Sequence, residues 1–393
     1  MSDVLTLLVF LSAILASLFM SWTIGAGSAG STPFAPAVGA RAISVMRAGF
    51  VVGIFIFLGA VLQGANVSEA VGRELIGGVT LTGTAAALAL VIAALLVTVG
   101  VFTGYPIATA FTVTGAVIGV GLALGGEPNW PKYAEIGTLW VLTPVVGGGI
   151  AYWIASWLRD DSHREVPAIA LLGGFVGVLL ANIEFAVLGS GNSGATIASW
   201  GGSVLPGPFL LGWALIVSLF GVTGWYLLTR QLRADVIRGE KRFTLVLGAI
   251  VAFSAGGSQV GLAVGPLLPL LDGIVPLLAI LLGGGFGLLL GAWTSAPRMI
   301  KAVSQDYASL GPRRAIAALI PSFAIAQIAI LFGIPVSFNQ IVVSAIAGSG
   351  AAAHQAGGIS RRKIGYTLLA WAASFVGAVA VGYLSFATIG RLW

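Results

Sequence analysis

Apolar runs long enough to cross a bilayer recur along this whole chain, at residues 4–24, 46–64, 82–101, 106–125, 136–158, 166–190, 207–229, 242–264, 272–294, 313–332, 335–353 and 364–388. A hydrocarbon core takes roughly 20 apolar residues per helix, so the pattern predicts an all-α polytopic membrane protein. About 12 crossings are expected, several interrupted by Gly and Pro. Only 8% of the 393 residues are charged, where a soluble domain carries about a quarter. The first run lacks a basic leader and continues into polar sequence, so it reads as a retained span rather than a cleaved signal. The absence of cysteine excludes disulfides and thiolate metal sites. The net charge of +6 sits almost wholly in short loops. It therefore reports topology in a lipid bilayer, not binding to nucleic acid.

One polar, glycine-rich passage occurs twice. It reads Gly25-Ala26-Gly27-Ser28-Ala29-Gly30-Ser31-Thr32 near the start and Gly256-Gly257-Ser258-Gln259-Val260-Gly261 in the second half. Each copy is answered further on by a Gly-x-Pro element, Gly104-Tyr105-Pro106 and Gly333-Ile334-Pro335. Helix breakers in corresponding places of two halves point to a transporter's binding site. Non-helical backbone is tolerated in a membrane only inside protein or around a watery cavity. Residues 25–31 and 256–261 are thus expected to be broken-helix backbone whose free N–H groups suit an anion. The plainer reading is that these small residues only let helices pack closely. Their recurrence at matching places favours the site.

Charge gives an independent test. Residues 230–242 carry five cations against two anions, which makes that loop cytoplasmic. Counting outward, Arg298, Lys301, Arg313, Arg314, Arg361, Arg362 and Lys363 fall on the same side. Counting backward, Arg159, Arg164, Arg41 and Arg47 do so too. Five crossings in residues 1–158 and five in 242–393 then run in opposite directions, around a linker at 159–241 with two helices. Both termini come out external to the cell membrane. Two inverted repeats with broken helices and Pro-led hairpins are the predicted architecture.

The chain resembles the inorganic phosphate transporter (PiT) family along nearly its whole length, apart from the linker. That family carries Gly-Ala-Asn-Asp-x-x-Asn once per half, and Pro-Val-Ser-Thr-Thr-His once per half. Here the second element is Pro106-Ile107-Ala108-Thr109-Ala110-Phe111 and Pro335-Val336-Ser337-Phe338-Asn339-Gln340. Trp140-Val-Leu-Thr-Pro-Val-Val-Gly-Gly148 is similar to the helix after the family's first hairpin, and Leu310-Gly-Pro-Arg-Arg314 to a later segment. The departures are in the motifs. Gly27-Ser28 and Ser258-Gln259 stand for Asn-Asp, and every carboxylate and histidine of the motifs is gone. The first motif resembles the family's sulfate-permease branch.

That loss bears on the substrate. Phosphate near neutral pH still carries protons that a carboxylate can accept, whereas sulfate carries none and calls for donors only. The candidate substrate-binding residues are Gly25, Ala26, Gly27, Ser28, Ser31, Thr32, Thr109, Gly256, Gly257, Ser258, Gln259, Ser337, Asn339 and Gln340. Read as donors, they favour sulfate, with phosphate symport driven by sodium or protons as the alternative. No cofactor is implied beyond a coupling Na+ or H+. Sodium would need backbone and hydroxyl oxygens in place of the missing carboxylates. Glu69, Glu74, Glu184, Asp272 and Asp306 read as solvated helix-end residues unless one faces a cavity.

Two other classes are weighed. Gly191-Asn192-Ser193-Gly194 and Ala353-His354-Gln355-Ala356-Gly357 match short pieces of rhomboid serine proteases. The topology puts Ser193 and His354 on opposite sides, however, and a Ser–His pair must share one pocket. His163 reads as a solvated loop residue. An anion channel needs no alternating gates, and the inverted repeat favours a carrier over it. Trp130, Trp140, Trp153, Trp157, Trp200, Trp371 and Trp393 fall near helix ends and read as interface anchors. Such carriers commonly form a homodimer, though no sequence feature here demonstrates one.

Overall fold

The computed structural model describes residues 2–159, 165–189, 194–308, 310–353 and 360–389. Each of the twelve apolar runs contains a helix. The first half holds α1 (Ser2–Gly27), the short α2 (Ala35–Gly39), α3 (Val45–Gln63), α4 (Ala65–Arg73), α5 (Gly83–Thr103), α6 (Thr109–Ala123) and α7 (Trp130–Trp157). The linker holds α8 (Glu165–Ala181), α9 (Ile197–Val204) and α10 (Phe209–Ala234). The second half holds α11 (Val236–Val264), the short α12 (Leu268–Leu271), α13 (Leu277–Asp306), α14 (Pro312–Leu331), α15 (Phe338–Ala351) and α16 (Arg361–Ile389).

Among the described residues, nine helices are long and apolar enough to span a membrane, while 109–123 and 165–181 form shorter apolar helices. α15, of 14 residues, is shorter still. The chain is an all-α polytopic integral membrane protein. Among the described residues the strands are two-residue ladders in connections, β1 (Ile76–Gly77) with β2 (Glu127–Pro128) and β3 (Glu184–Phe185) with β4 (Ala195–Thr196).

Local chemistry fixes the helix ends. Thr82 and Asn129 accept bonds from Ala85 and Lys132 backbone N–H at 3.3 Å each, and Asp235 caps α11 through Arg238 N–H at 2.9 Å. Such caps satisfy first-turn donors that helical geometry leaves orphaned. α5 and α14 both end on a glycine in left-handed geometry, Gly104 at φ 75° and Gly333 at φ 61°, which only glycine adopts at little cost. Pro106 and Pro335 follow, so each helix stops and the chain turns into α6 or α15.

Burial separates lining from core. Only 6% of α10's apolar window is buried, against 72% for α11. α10 therefore leaves Leu211, Leu215, Leu219 and Val222 exposed, while α11 is wrapped by protein. The packing is reciprocal. α1 lies on α13 and α5 as α11 lies on α3 and α14, and α6 lies on α16 as α15 lies on α7.

One expectation fails here. The second glycine passage is not broken: α11 runs unbroken through Gly256, Gly257, Ser258, Gln259 and Gly261 to Val264, and the helix changes only at 265–267. In the first passage α1 continues through Gly25, Ala26 and Gly27, and the turns occupy 28–34. The reason is close packing. A Cβ on Gly25 would lie 2.0 Å from the Leu288 carbonyl oxygen, and one on Gly256 would lie 2.0 Å from that of Ile56. These two glycines let backbones cross, as the plainer reading had it.

Candidate substrate site

The turns before α6 and α15 meet beside the end of α1 and the middle of α11. Thr109 Oγ1 donates to Gln259 Oε1 at 2.7 Å, and Ser28 Oγ reaches the same oxygen at 3.4 Å. Gln259 Nε2 donates to the Val336 carbonyl at 2.7 Å. Asn339 Nδ2 donates to two carbonyls, Ile107 at 2.7 Å and Gly27 at 3.0 Å. These bonds fix which end of each amide is nitrogen, since a flip would set oxygen against oxygen. Ser28, Thr109, Gln259 and Asn339 all have no exposed surface. Their cluster is closed to both sides of the membrane in this conformation.

Two atoms there lack a hydrogen-bond partner, Ser337 Oγ and Asn339 Oδ1, and so does Gln340 Oε1 at the first turn of α15. Neither Ala108 nor Ser337 supplies a side-chain cap to the helix it starts. The first-turn N–H groups of α6 and α15 are therefore left without a side-chain acceptor, which favours a negative charge in front of them. Donors and acceptors converge on one buried place that holds no titratable side chain among the described residues.

Not every predicted residue joins the cluster. Ser31 and Thr32 hydroxyls fold back onto the Ser28 carbonyl at 3.1 and 3.2 Å, whereas Ser258 Oγ stays at the cluster's edge, accepting from Gln259 Nε2 at 3.4 Å and contacting Ala255 O at 3.5 Å. Gln340 turns away to α7, donating from Nε2 to the Trp140 carbonyl at 2.6 Å. Gly25, Gly256 and Gly257 serve packing against neighbouring helices, and Ala26 is buried within α1.

Two tryptophans were assigned to the wrong environment. Trp140 and Trp371 are buried, and each donates its indole N–H to the proline carbonyl of the other half's hairpin. Trp140 reaches Pro335 O at 2.9 Å and Trp371 reaches Pro106 O at 2.8 Å. Their matching places, each in the helix after a Pro-led hairpin, were a usable signal. Trp130, Trp153 and Trp200 are exposed as anchors would be, and Trp393 lies outside the described residues.

A second polar group was also missed. Gln63 and Gln327 exchange bonds at 3.2 and 3.3 Å, Gln327 donates to Ser254 Oγ at 2.7 Å, and Gln63 donates to Glu184 O at 2.8 Å. Glu184 faces a cavity of about 20 Å³ with Gln63 and Asn66. By contrast Glu69 and Asp272 are tied to Arg73, Glu74 to Lys132 and Asp306 to Lys363 near the surface. Ser193, His354 and His163, on which the protease reading turned, lie outside the described residues.

Comparison with known proteins gives a consistent result. Residues 24–382 match the Phosphate transporter family (PHO4). A phosphate permease of Chlamydia pneumoniae, so named, is 25% identical over 88% of this chain and 90% of its own length. One of Pyrococcus abyssi is 25% identical over 98% of both chains. A solved structure named as the sodium-dependent phosphate transporter superposes with a TM-score of 0.79 over 98% of this chain and 99% of its own, at 23% identity, a likeness of fold. The resemblance to a sulfate-permease branch finds no support among these relatives. The site is not donor-only either, because its amide nitrogens are spent on protein carbonyls and its unpaired amide atoms are acceptors.

Proposed function

The chain belongs to the phosphate transporter family, and on that premise we propose that it is a secondary-active carrier of inorganic phosphate, working by alternating access. The observation that carries this reading is Asn339. Its nitrogen is committed to Ile107 and Gly27 carbonyls, so its free Oδ1 can only accept. A protonated phosphate offers a P–OH to such an atom, and sulfate does not. Ser337 and the opening N–H groups of α6 and α15 supply donors to the remaining oxygens, and Ser28, whose bond to Gln259 is long at 3.4 Å, can turn to add another. Gln259 orients Thr109 and Ser28.

Reciprocal packing of α1, α3, α5, α6 and α7 with α11, α13, α14, α15 and α16 supports two inverted halves, residues 1–158 and 242–393, that rock about the site. The coupling ion on this reading is sodium. The site offers a proton no titratable acceptor among the described residues, and the fold neighbour is named as sodium-dependent. The termini are proposed to be external to the cell membrane. Because the chain has no cysteine, single cysteines introduced near each end should react with an impermeant thiol reagent from outside in intact cells. Reaction only after permeabilisation reverses the orientation.

Uptake of labelled phosphate and labelled sulfate into proteoliposomes tests the substrate. An inward sodium gradient should drive phosphate uptake that tenfold excess sulfate does not displace. Sulfate uptake that phosphate cannot compete would overturn the assignment.

A further inference from the structure

We propose that Trp140 is a positioning residue that yokes the two Pro-led hairpins, so that the halves of the substrate site move as one. Four contacts converge on it. Its indole N–H holds Pro335 O of the second hairpin at 2.9 Å. Its ring stacks on Phe111, in the first turn of α6, with centroids 3.8 Å apart and planes 21° apart. Phe375 of α16 meets it edge-on at 5.5 Å. Its own carbonyl accepts from Gln340 Nε2, in the first turn of α15, at 2.6 Å.

The last contact follows from sequence chemistry. In an α-helix the carbonyl of residue 140 is taken by the N–H of residue 144. Here residue 144 is proline, inside α7, and proline has no N–H. The Trp140 carbonyl is thereby freed in the protein interior, where an unpaired acceptor is costly. Gln340 satisfies it. Pro144 and Gln340 thus form a matched pair across the two halves.

Trp371 is the control that nature supplies. It makes the mirror-image bond to Pro106 O at 2.8 Å, but four residues on stands Phe375 rather than a proline, so its carbonyl keeps its helical donor. Among the described residues, the indole hydrogen bond of Trp371 goes to the first hairpin alone. Trp140 joins both hairpins through a hydrogen bond and a stacked ring, while the indole of Trp371 bonds to one.

The inference rests on the carrier reading for its transport consequence and on geometry alone for the coupling. Hydrogen exchange of the full-length protein, in nanodiscs, reads the coupling directly. Trp140→Leu removes both donor and flat ring, and should speed exchange in residues 106–111 and 335–340 alike. Trp371→Leu should speed it in 106–111 only. Trp140→Phe keeps a ring for Phe111 and removes the donor, and should affect 335–340 alone. If Trp140→Leu fails to fold, Pro144→Ala serves instead. It restores an N–H to the Trp140 carbonyl, displaces Gln340 and should loosen 335–340. Unchanged exchange at either hairpin in Trp140→Leu overturns the yoke, as does unchanged exchange at 335–340 in both milder variants.

Transport separates positioning from mere stability. Trp140→Phe should raise the KM for phosphate about fivefold, the worth of one buried hydrogen bond, with Vmax nearly constant. A fall in Vmax at constant KM would mean a structural role only. Wild-type protein that carries no phosphate would sink the carrier reading while leaving the exchange result to decide the yoke.

Discussion

The hairpin of the first half brings one hydroxyl to the site, Thr109, with Ala108 and Ala110 on either side. The hairpin of the second half brings Ser337 and Asn339, and sends Gln340 to α7. The same contrast holds one helix away, where Ser28 on the first side faces Gln259 on the second. Yet the two hairpins are mounted alike, on a left-handed glycine, a proline and a tryptophan donated by the opposite half. The scaffold is twofold and the chemistry is not. Phosphate with one or two protons has unlike oxygens, and a site whose free amide acceptor comes from the second half alone matches that inequality. The second half also reaches over: Asn339 bonds to Gly27 and Ile107, both in the first half.

That contrast predicts equal damage at scaffold positions and unequal damage at site positions. The largest effect belongs to Gly25→Ala and Gly256→Ala. Each sets a Cβ 2.0 Å from a backbone oxygen, that of Leu288 or Ile56. Overpacking costs about 1–3 kcal/mol where side chains can yield, and backbone yields less. Both variants should lose folded protein to a similar degree in thermal unfolding monitored in detergent. A large difference between them would break the equivalence of the two crossings.

Asn339→Leu comes next. It strands the Gly27 and Ile107 carbonyls in a buried place, at roughly 1–3 kcal/mol for each unsatisfied group. Phosphate uptake should disappear and the unfolding midpoint should fall. Ala110→Asn, the corresponding change in the first half, should not restore uptake to that variant, because the partners of Asn339 lie in the first half. Restoration would show that the halves are interchangeable.

Gln259→Leu against Ser28→Ala sharpens the comparison one step further. The first removes the acceptor of Thr109 and the donor to Val336 at once, and should cut uptake by about tenfold or more. The second removes a hydroxyl whose bond to Gln259 is 3.4 Å long, near the weak limit, and should cost only about two- to threefold. Initial rates in matched proteoliposomes decide the order, and a reversed order would move the weight of the site to α1.

Much of this was legible in residues. Apolar length located twelve of the sixteen α-helices among the described residues, missing the short α2, α4, α9 and α12, and Gly104-Tyr105-Pro106 with Gly333-Ile334-Pro335 pointed to both hairpins. The first glycine passage does leave the helix, at 28–34, while the second continues as helix through Val264. A glycine permits both a broken helix and a close crossing, and only the neighbour at Leu288 or Ile56 tells which. Gln259 and Asn339 were picked as donors because an amide has two faces. Which face is spent depends on Val336, Ile107 and Gly27, brought near by the fold alone. Trp140 was misjudged for a similar reason. Its place near a helix end looked interfacial, and the missing N–H of Pro144 was the overlooked clue.

The smallest effect lies at the surface tie between the halves, where Arg73 of α4 meets Asp272, just beyond α12, at 2.8 Å. The Arg73 hydrogen bond and charge hold the Asp272 carboxyl below its usual range, and the same pair raises Arg73. A carboxyl depressed in the folded state adds stability above its unfolded value of about 3.9, and that contribution fades as pH falls through the lower folded value. Asp272→Asn should therefore lower the unfolding midpoint slightly at neutral pH and progressively less at acid pH, as the wild-type carboxyl takes up a proton and loses the charge that the mutation removes. Both side chains are about half exposed or more, so salt should erase the neutral-pH difference. Unfolding curves at neutral and acid pH, in low and high salt, carry the test. A loss that persists at acid pH would mean that Asp272 holds the halves together by shape rather than charge, and the tie would then belong with the scaffold.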